Sequence, residues 1–233
     1  MSAMDRINIK GLICLEAGTG SGFMTRYLAK RGAKLVYSIS NNQEHLDYAR
    51  KELAKKHIKN VKFIKADLRK LDFLEDETMD LITAHMLVNV VTPVDLFLIF
   101  KELTRVAKNN ALMVVNDYNP LSSYQTERSH IVEELFRIEN AVYYLANGEP
   151  ALVWYPSEYV ADLLKLLGWR IETIELMYDK TPWEKELLEH LEVIENECKK
   201  LGNENLRKNL LSHAIEILNQ VDEDETIYAV RTK

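Results

Sequence analysis

Leu15-Glu16-Ala17-Gly18-Thr19-Gly20-Ser21-Gly22 joins a short apolar run, Leu12 to Leu15, to an amphipathic one that starts at Phe23. A buried strand followed by a helix is the expected reading. Glycines at every second position let the backbone come close to a ligand, because no Cβ stands in the way. In open α/β sheets such a turn lies beyond the carboxyl ends of the strands, where ligands bind. The spacing separates ligand classes. A dinucleotide fingerprint starting at Gly18 needs its third glycine at position 23, which is Phe23. A phosphate loop of the Gly-Lys-Ser/Thr type is absent, and an acid, Glu16, precedes the turn.

Working outward, short apolar runs alternate with amphipathic ones. Gly11 to Glu16, Lys34 to Ile39, Val61 to Ala66, Asp80 to His85 and Ala111 to Asp117 read as strands. Phe23 to Arg31, Asn42 to His57 and Val94 to Ala107 read as the helices between them, the second with Leu46, Ala49, Leu53 and Ala54 on one face. Strands alternating with helices predict a parallel sheet with right-handed crossovers. The rhythm stops at Tyr118. Thr126 to Ala146 reads as a helix, Ser157 to Leu167 as another ended by Gly168, and Trp169 to Tyr178 as a sixth strand. Thr181-Pro182 then reads as a helix start. Trp183, Leu187, Leu191, Ile194, Cys198 and Leu201 form one apolar stripe, and Leu206, Leu210, Ala214, Ile217 and Val221 a second. Two stripes across the Gly202-Asn203 turn predict an antiparallel helical hairpin. Thr226 to Val230 reads as the last strand. The expected fold is α/β, one domain over 1–233: a doubly wound, mostly parallel seven-stranded sheet with an antiparallel last strand. Its two helical insertions are a lid at 118–156 and the hairpin at 182–221.

Glu-x-Gly-x-Gly-x-Gly at this place resembles the first motif of the class I S-adenosylmethionine (SAM)-dependent methyltransferases, small-molecule branch. The likeness extends over residues 11 to 117 and more loosely to 178. Ala66-Asp67-Leu68 resembles the family's adenine-contacting segment, and Met79-Asp80-Leu81-Ile82 its fourth strand. Leu87 to Pro93 resembles the leucine-His-His-valine-x-Asp-Pro stretch, and Ala107-Lys108-Asn109-Asn110 stands where Lys-Pro-Gly-Gly turns into the fifth strand. The resemblance implies SAM as cofactor and S-adenosylhomocysteine as product. It implies that Gly18, Thr19, Gly20 and Gly22 line the methionine end, that Glu16 holds the ammonium group or orients the turn, and that Asp67 and Leu68 meet the adenine. One position departs from the pattern. The family ends its second strand with an acid that binds both ribose hydroxyls, and here Ser38 aligns with it; Ser38, Asn41 or Asn42 would hold the ribose. A hydroxyl is a weaker acceptor than a charged bidentate carboxylate.

Methyl transfer needs alignment and exclusion of water more than a fixed catalytic motif. Acceptor deprotonation calls for a base. His85, at the end of the fourth strand, is a candidate for base or cofactor contact. Asp117 and Tyr118, at the end of the fifth, are further candidates, with Tyr124 and His130 behind them. The pairs Tyr143-Tyr144 and Trp154-Tyr155 could wall a substrate or simply pack.

Composition is that of a globular protein: 233 residues, 47% hydrophobic, 28% charged. A net charge of −6 argues against a protein that coats nucleic acid. The charge is local. Glu184 to Glu225 carry twelve acids against five Lys/Arg, while the remainder is near neutral. A basic group, Arg50, Lys51, Lys55, Lys56, Lys59, Lys62, Lys65, Arg69 and Lys70, reads first as a solvated face. Two cysteines, Cys14 and Cys198, make neither a disulfide framework nor a zinc site, so no metal is expected. No apolar run reaches the roughly 18 residues of a membrane span. Without a signal-peptide pattern, a cytoplasmic protein is expected, monomer or homodimer, acting on a small molecule. The rival readings are an inactive methyltransferase-like binding or regulatory protein, an RNA or protein methyltransferase and, last, an NAD-dependent oxidoreductase.

Overall fold

The apolar run before the glycines forms β1 (Ile13–Ala17), and the other strands assemble around it. The computed structural model describes residues 3–118, 127–179, 183–219 and 229–232. After a short α1 (Ala3–Arg6) and β1 come α2 (Phe23–Lys30), β2 (Leu35–Ser40), α3 (Gln43–Ala54), β3 (Val61–Lys65), β4 (Met79–His85), α4 (Pro93–Val106) and β5 (Ala107–Tyr118). Five strands lie in the order β3-β2-β1-β4-β5, every neighbouring pair parallel. The chain builds outward from β1 through β2 and β3, then returns to the other side of β1 for β4. The order therefore reverses between β1 and β4, and the glycine turn leaves β1 at that reversal.

Local chemistry sets the element ends. Asn42 caps α3, its side-chain oxygen accepting from the Glu44 and His45 amides. Thr92 caps α4 ahead of Pro93 at the first helical position. Such caps stabilise by about 1 kcal/mol each. One face of the sheet closes on α2, where Cys14, Val36 and Leu81 of three adjacent strands meet Met24, Leu28 and Ala29.

The chain divides into two compact units. The first comprises 1–117, 157–175 and 232–233; the second, 118–156 and 176–231. The first also holds α6 (Ser157–Leu166). The second contains α5 (Glu127–Asn147), β6 (Leu176–Asp179), α7 (Trp183–Cys198), α8 (Glu204–Leu218) and most of β7 (Ala229–Thr232). Here α5 does not stand apart from the hairpin. Leu135, Phe136, Ile138 and Val142 of α5 share one core with Leu187, Ile194 and Cys198 of α7 and Ala214 and Ile217 of α8. The two expected insertions are thus one three-helix unit with its own buried centre. Both predicted stripes supply that centre, while Glu192 and Glu195 face solvent. Asn203 caps α8 through the Leu206 amide.

Two strand expectations are corrected. Ala107 to Asn110 is not a turn but the start of β5. Met79 pairs with Ala107 and Leu81 with Leu112, so two residues on β4 face five on β5 and the excess loops out of register. Trp169 to Glu175 is not strand, and β6 begins only at Leu176. Trp169 instead donates its indole N–H to Thr104 Oγ1 of α4 at 2.8 Å. Thr181-Pro182, Val221 and the acidic run Asp222 to Glu225 lie outside the described residues. Among the described residues no helix is long and apolar enough to cross a membrane.

Candidate functional site

The turn after β1 is pinned from below. The amides of Gly18 and Thr19 both donate to the Ile39 carbonyl of β2, at 3.0 and 3.1 Å, and the Gly22 amide closes back on Thr19. The glycines differ in their duty. Gly20 has φ 47° and a Cβ there would meet nothing within 4 Å, so its bare face looks into open space. Gly22 has φ 75°, and a Cβ would come within 2.7 Å of Ala49 Cβ on α3. Gly22 is needed where α2 meets α3, a packing role in addition to its expected place in the ligand lining.

Beneath the turn lies a buried polar cluster. Glu16 on β1 is 2% exposed, and its Oε2 accepts from Thr25 Oγ1 of α2. Ser38 Oγ lies 3.2 Å from the same oxygen, 2.7 Å from Thr25 Oγ1 and 2.9 Å from Thr19 Oγ1. Burial pushes the Glu16 carboxyl well above the usual carboxylate range, against the lowering effect of its bonds from Ser38 and Thr25.

This cluster corrects the assignment of Ser38. The residue is fully buried, with its hydroxyl committed to Glu16, Thr19 and Thr25, and cannot meet a ribose. The strand runs two residues further, to Ser40, whose Oγ accepts from the Asn42 amide at 3.1 Å. Asn42 is occupied as a helix cap. Asn41, between them, presents an exposed side chain at the ligand edge.

Asp67 and Leu68 follow β3. Leu68 is buried; Asp67 is half exposed and chelated by Arg69, whose Nη2 lies 2.6 Å from Oδ2. Arg69 also reaches Asp95 of α4 at 2.8 Å. The Arg69 hydrogen bonds hold the Asp67 carboxyl below its ordinary range. Accepting from an adenine amino group thus requires Asp67 to share what Arg69 now takes.

His85 ends β4. Its Nδ1 lies 2.6 Å from Asn116 Oδ1, and its ring centroid is 5.9 Å from that of Phe23, the residue after the glycine turn. An amide oxygen accepts, so Nδ1 carries the proton and Nε2 is the basic nitrogen of this tautomer. Asp117 is buried and accepts from the Asn89 amide at 3.1 Å, bracing the short helical turn at Val88–Val90. That contact makes Asp117 a support for the loop after β4, not an open base. Tyr118 packs against the core of the second unit, as does Trp154, whose ring stacks 5.0 Å from Phe136. Trp154 and the buried Tyr155 are therefore packing residues, and Tyr144 is exposed. Tyr124 and the side chain of His130 lie outside the described residues. No group of three or more potential metal ligands occurs among the described residues.

Around Glu16 and the glycine turn the structure thus gathers Thr19 and Ser38 and brings Phe23 against His85. Thr25, Asn116 and Arg69 were not expected. A hydroxyl on a helix or an amide beside a predicted strand end carries no sequence signal until the elements meet.

Residues 14–110 match the family described as methyltransferase domain. The ribosomal protein L11 methyltransferase of Lactobacillus johnsonii is 33% identical over 91 residues, 38% of this chain and 27% of that protein. The chain thus spans about a quarter of the length of the curated relative it matches. A SAM-dependent methyltransferase from Aquifex aeolicus superposes with a TM-score of 0.55 at 24% identity, over 73% of this chain and 79% of that one. The [4+2]-cyclase SpnF superposes with a TM-score of 0.60 at 15% identity, over 96% of this chain and 74% of that one.

Proposed function

We propose that the protein is a class I S-adenosylmethionine-dependent methyltransferase that takes SAM as its cofactor and transfers the methyl group to a small-molecule acceptor; the match of residues 14–110 to a methyltransferase domain supports this reading. The observation that carries this reading is the glycine turn at the sheet's reversal, open at Gly20 and pinned to β2 through Ile39. The bare face of Gly20 fits the methionine end of SAM, and Asn41 is the side chain at the ribose position. Leu68 packs toward the adenine, with Asp67 sharing the adenine amino group with Arg69. Bound SAM supplies an electrophilic methyl carbon on a sulfonium. With SAM bound, an acceptor lone pair would form the new bond to that carbon as the carbon–sulfur bond broke, and S-adenosylhomocysteine would be left. His85 Nε2 takes the acceptor proton, held in the right tautomer by Asn116. The 118–156 insertion selects the acceptor, and a seven-stranded sheet with an antiparallel last strand belongs to this reading.

A protein acceptor is the second reading, favoured by the similarity to ribosomal protein L11 methyltransferases. The matched stretch covers 38% of this chain and 27% of that protein, which leaves the acceptor open. The likeness to a cyclase of the same fold favours a third, a SAM-fold protein that does not methylate.

Titration calorimetry with SAM, S-adenosylhomocysteine and NAD tests the premise; saturable binding of the adenosyl ligands alone is expected, and none at all sinks it. Methyl-labelled SAM incubated with a cell extract then separates the readings. Label in the small-molecule fraction supports the first, label in protein the second, and binding without transfer the third.

A further inference from the structure

The polar cluster beneath the glycine turn has more contacts than its hydroxyls have protons. Thr19, Thr25 and Ser38 carry one hydroxyl proton each. The oxygens make four close pairs: Thr25 with Glu16, Ser38 with Glu16, Thr25 with Ser38, and Thr19 with Ser38. Were Glu16 ionised, Thr25 and Ser38 would each donate to it and Thr19 to Ser38. That leaves the 2.7 Å approach of the Thr25 and Ser38 oxygens without a proton; turning Ser38 to Thr25 instead only moves the vacancy to the 3.2 Å Ser38–Glu16 pair, where a hydroxyl oxygen then faces a bare carboxylate. A fourth proton completes the set. Glu16 donates to Ser38, Ser38 to Thr25, Thr25 back to Glu16, and Thr19 to Ser38, so every oxygen donates once.

We propose that Glu16 is a neutral carboxylic acid in the folded protein and a positioning residue whose proton closes this ring and so fixes Thr19 within the cofactor turn. All four residues are buried, so water cannot supply the missing donor cheaply. Two elements packed around β1 present hydroxyls to Glu16, Ser38 from β2 and Thr25 from α2, while Thr83, its register partner on β4, donates to the Leu15 carbonyl. Of the titratable groups on those elements, Arg26 of α2 lies over the Phe23 ring at 5.8 Å, and His85 of β4 contacts the same ring and Asn116. No charged group contributes to the Glu16 shift, which burial dominates. The inference adds to the SAM-binding reading, on which its effect on affinity rests, but the protonation itself does not.

Carbon-13 NMR of the protein labelled at glutamate carboxyls tests the protonation without any ligand. One resonance is expected to keep its protonated position at neutral pH, while exposed glutamates titrate near about pH 4.3. It should vanish in Glu16→Gln. If that variant does not fold, Glu139→Gln, which removes the other glutamate buried among the described residues, should leave it in place. A wild-type spectrum in which every glutamate is ionised at neutral pH overturns the proposal. SAM affinity supplies the second readout. The wild type should lose affinity as pH rises through the Glu16 titration. Glu16→Gln, neutral and able to donate, should bind within about tenfold of the wild type with no such pH dependence, and Glu16→Ala should lose more than about tenfold because the Thr25 and Ser38 hydroxyls lose their partner and Thr19 its support through Ser38. Gln behaving like Ala, or keeping the wild-type pH profile, overturns the positioning role. A protonated Glu16 in a protein that binds no SAM supports the ring and removes the methyltransferase reading instead.

Discussion

Gly22 shows how the structure can add a packing reason to a residue that the sequence marks for its place in a turn. Its φ of 75° strains any other side chain, and its missing Cβ gives room to Ala49 on α3. Gly22→Ala should cost about 2–4 kcal/mol, from the left-handed backbone plus overpacking, and appear as a lowered Tm. A Tm within error of wild type would show that α2 and α3 are not held this closely. Ser38 carries the converse lesson. An acid at the ribose position would favour cofactor, but Ser38→Asp sets a second buried carboxylate beside Glu16. The expected outcome is a fall of several degrees in Tm together with weaker SAM binding; tighter binding with an intact fold would restore the alignment that the structure corrects. The pH behaviour follows from the same place. Burial raises the folded-state Glu16 value above the unfolded one. Its contribution to stability is full below the unfolded value, about 4.3, and is lost as pH rises through the folded value. Denaturation curves of Glu16→Gln should be flatter than wild type across that window.

At the scale of elements, the helices of the second unit were visible as periodicity, but their partners were not. Stripes at three- and four-residue spacing on α7 and α8 required a buried face, and a hairpin satisfies much of it. That α5 completes the core depends on Leu135, Phe136, Ile138 and Val142 meeting them across more than 40 residues of chain. Ile194, fully buried in α7, reports on this packing. Ile194→Ala should destabilise by about 2–5 kcal/mol, measured by chemical denaturation. A loss near zero would place α7 outside the core. Strand β5 illustrates a different gap. Asn109 and Asn110 read as a turn because asparagines favour turns, yet pairing with β4 draws the segment into the strand with an out-of-register loop. Local preference yields to the sheet's long-range hydrogen bonds.

For the whole molecule, the cysteines separate the two units. Cys14 lies in the sheet and Cys198 in the three-helix core, both buried. Burial pushes the Cys14 thiol up to about 12 and raises that of Cys198, so neither should react with an alkylating reagent in native buffer. In increasing denaturant, with labelling read by mass spectrometry, Ile194→Ala should expose Cys198 at lower concentration than wild type while Cys14 exposure shifts less. Equal shifts for both thiols would mean that the two units unfold as one. The fold of the first 117 residues was legible in sequence because its signals are local: a glycine turn of fixed spacing, alternating apolar runs and helix caps within a few residues of what they cap. The negative charge of the Glu184–Glu225 stretch was equally plain, and among its described residues Glu189, Glu192, Glu195, Glu204 and Glu216 are exposed on helices whose apolar stripes turn inward. Only tertiary structure could decide that Ser38 is buried and Asn41 presented, that Arg69 holds Asp67 and Asn116 holds His85, and that two apparent insertions are one unit. Each of those facts depends on residues far apart in the chain being brought within hydrogen-bond or packing distance, and no period or spacing along a single segment encodes the distance between two segments.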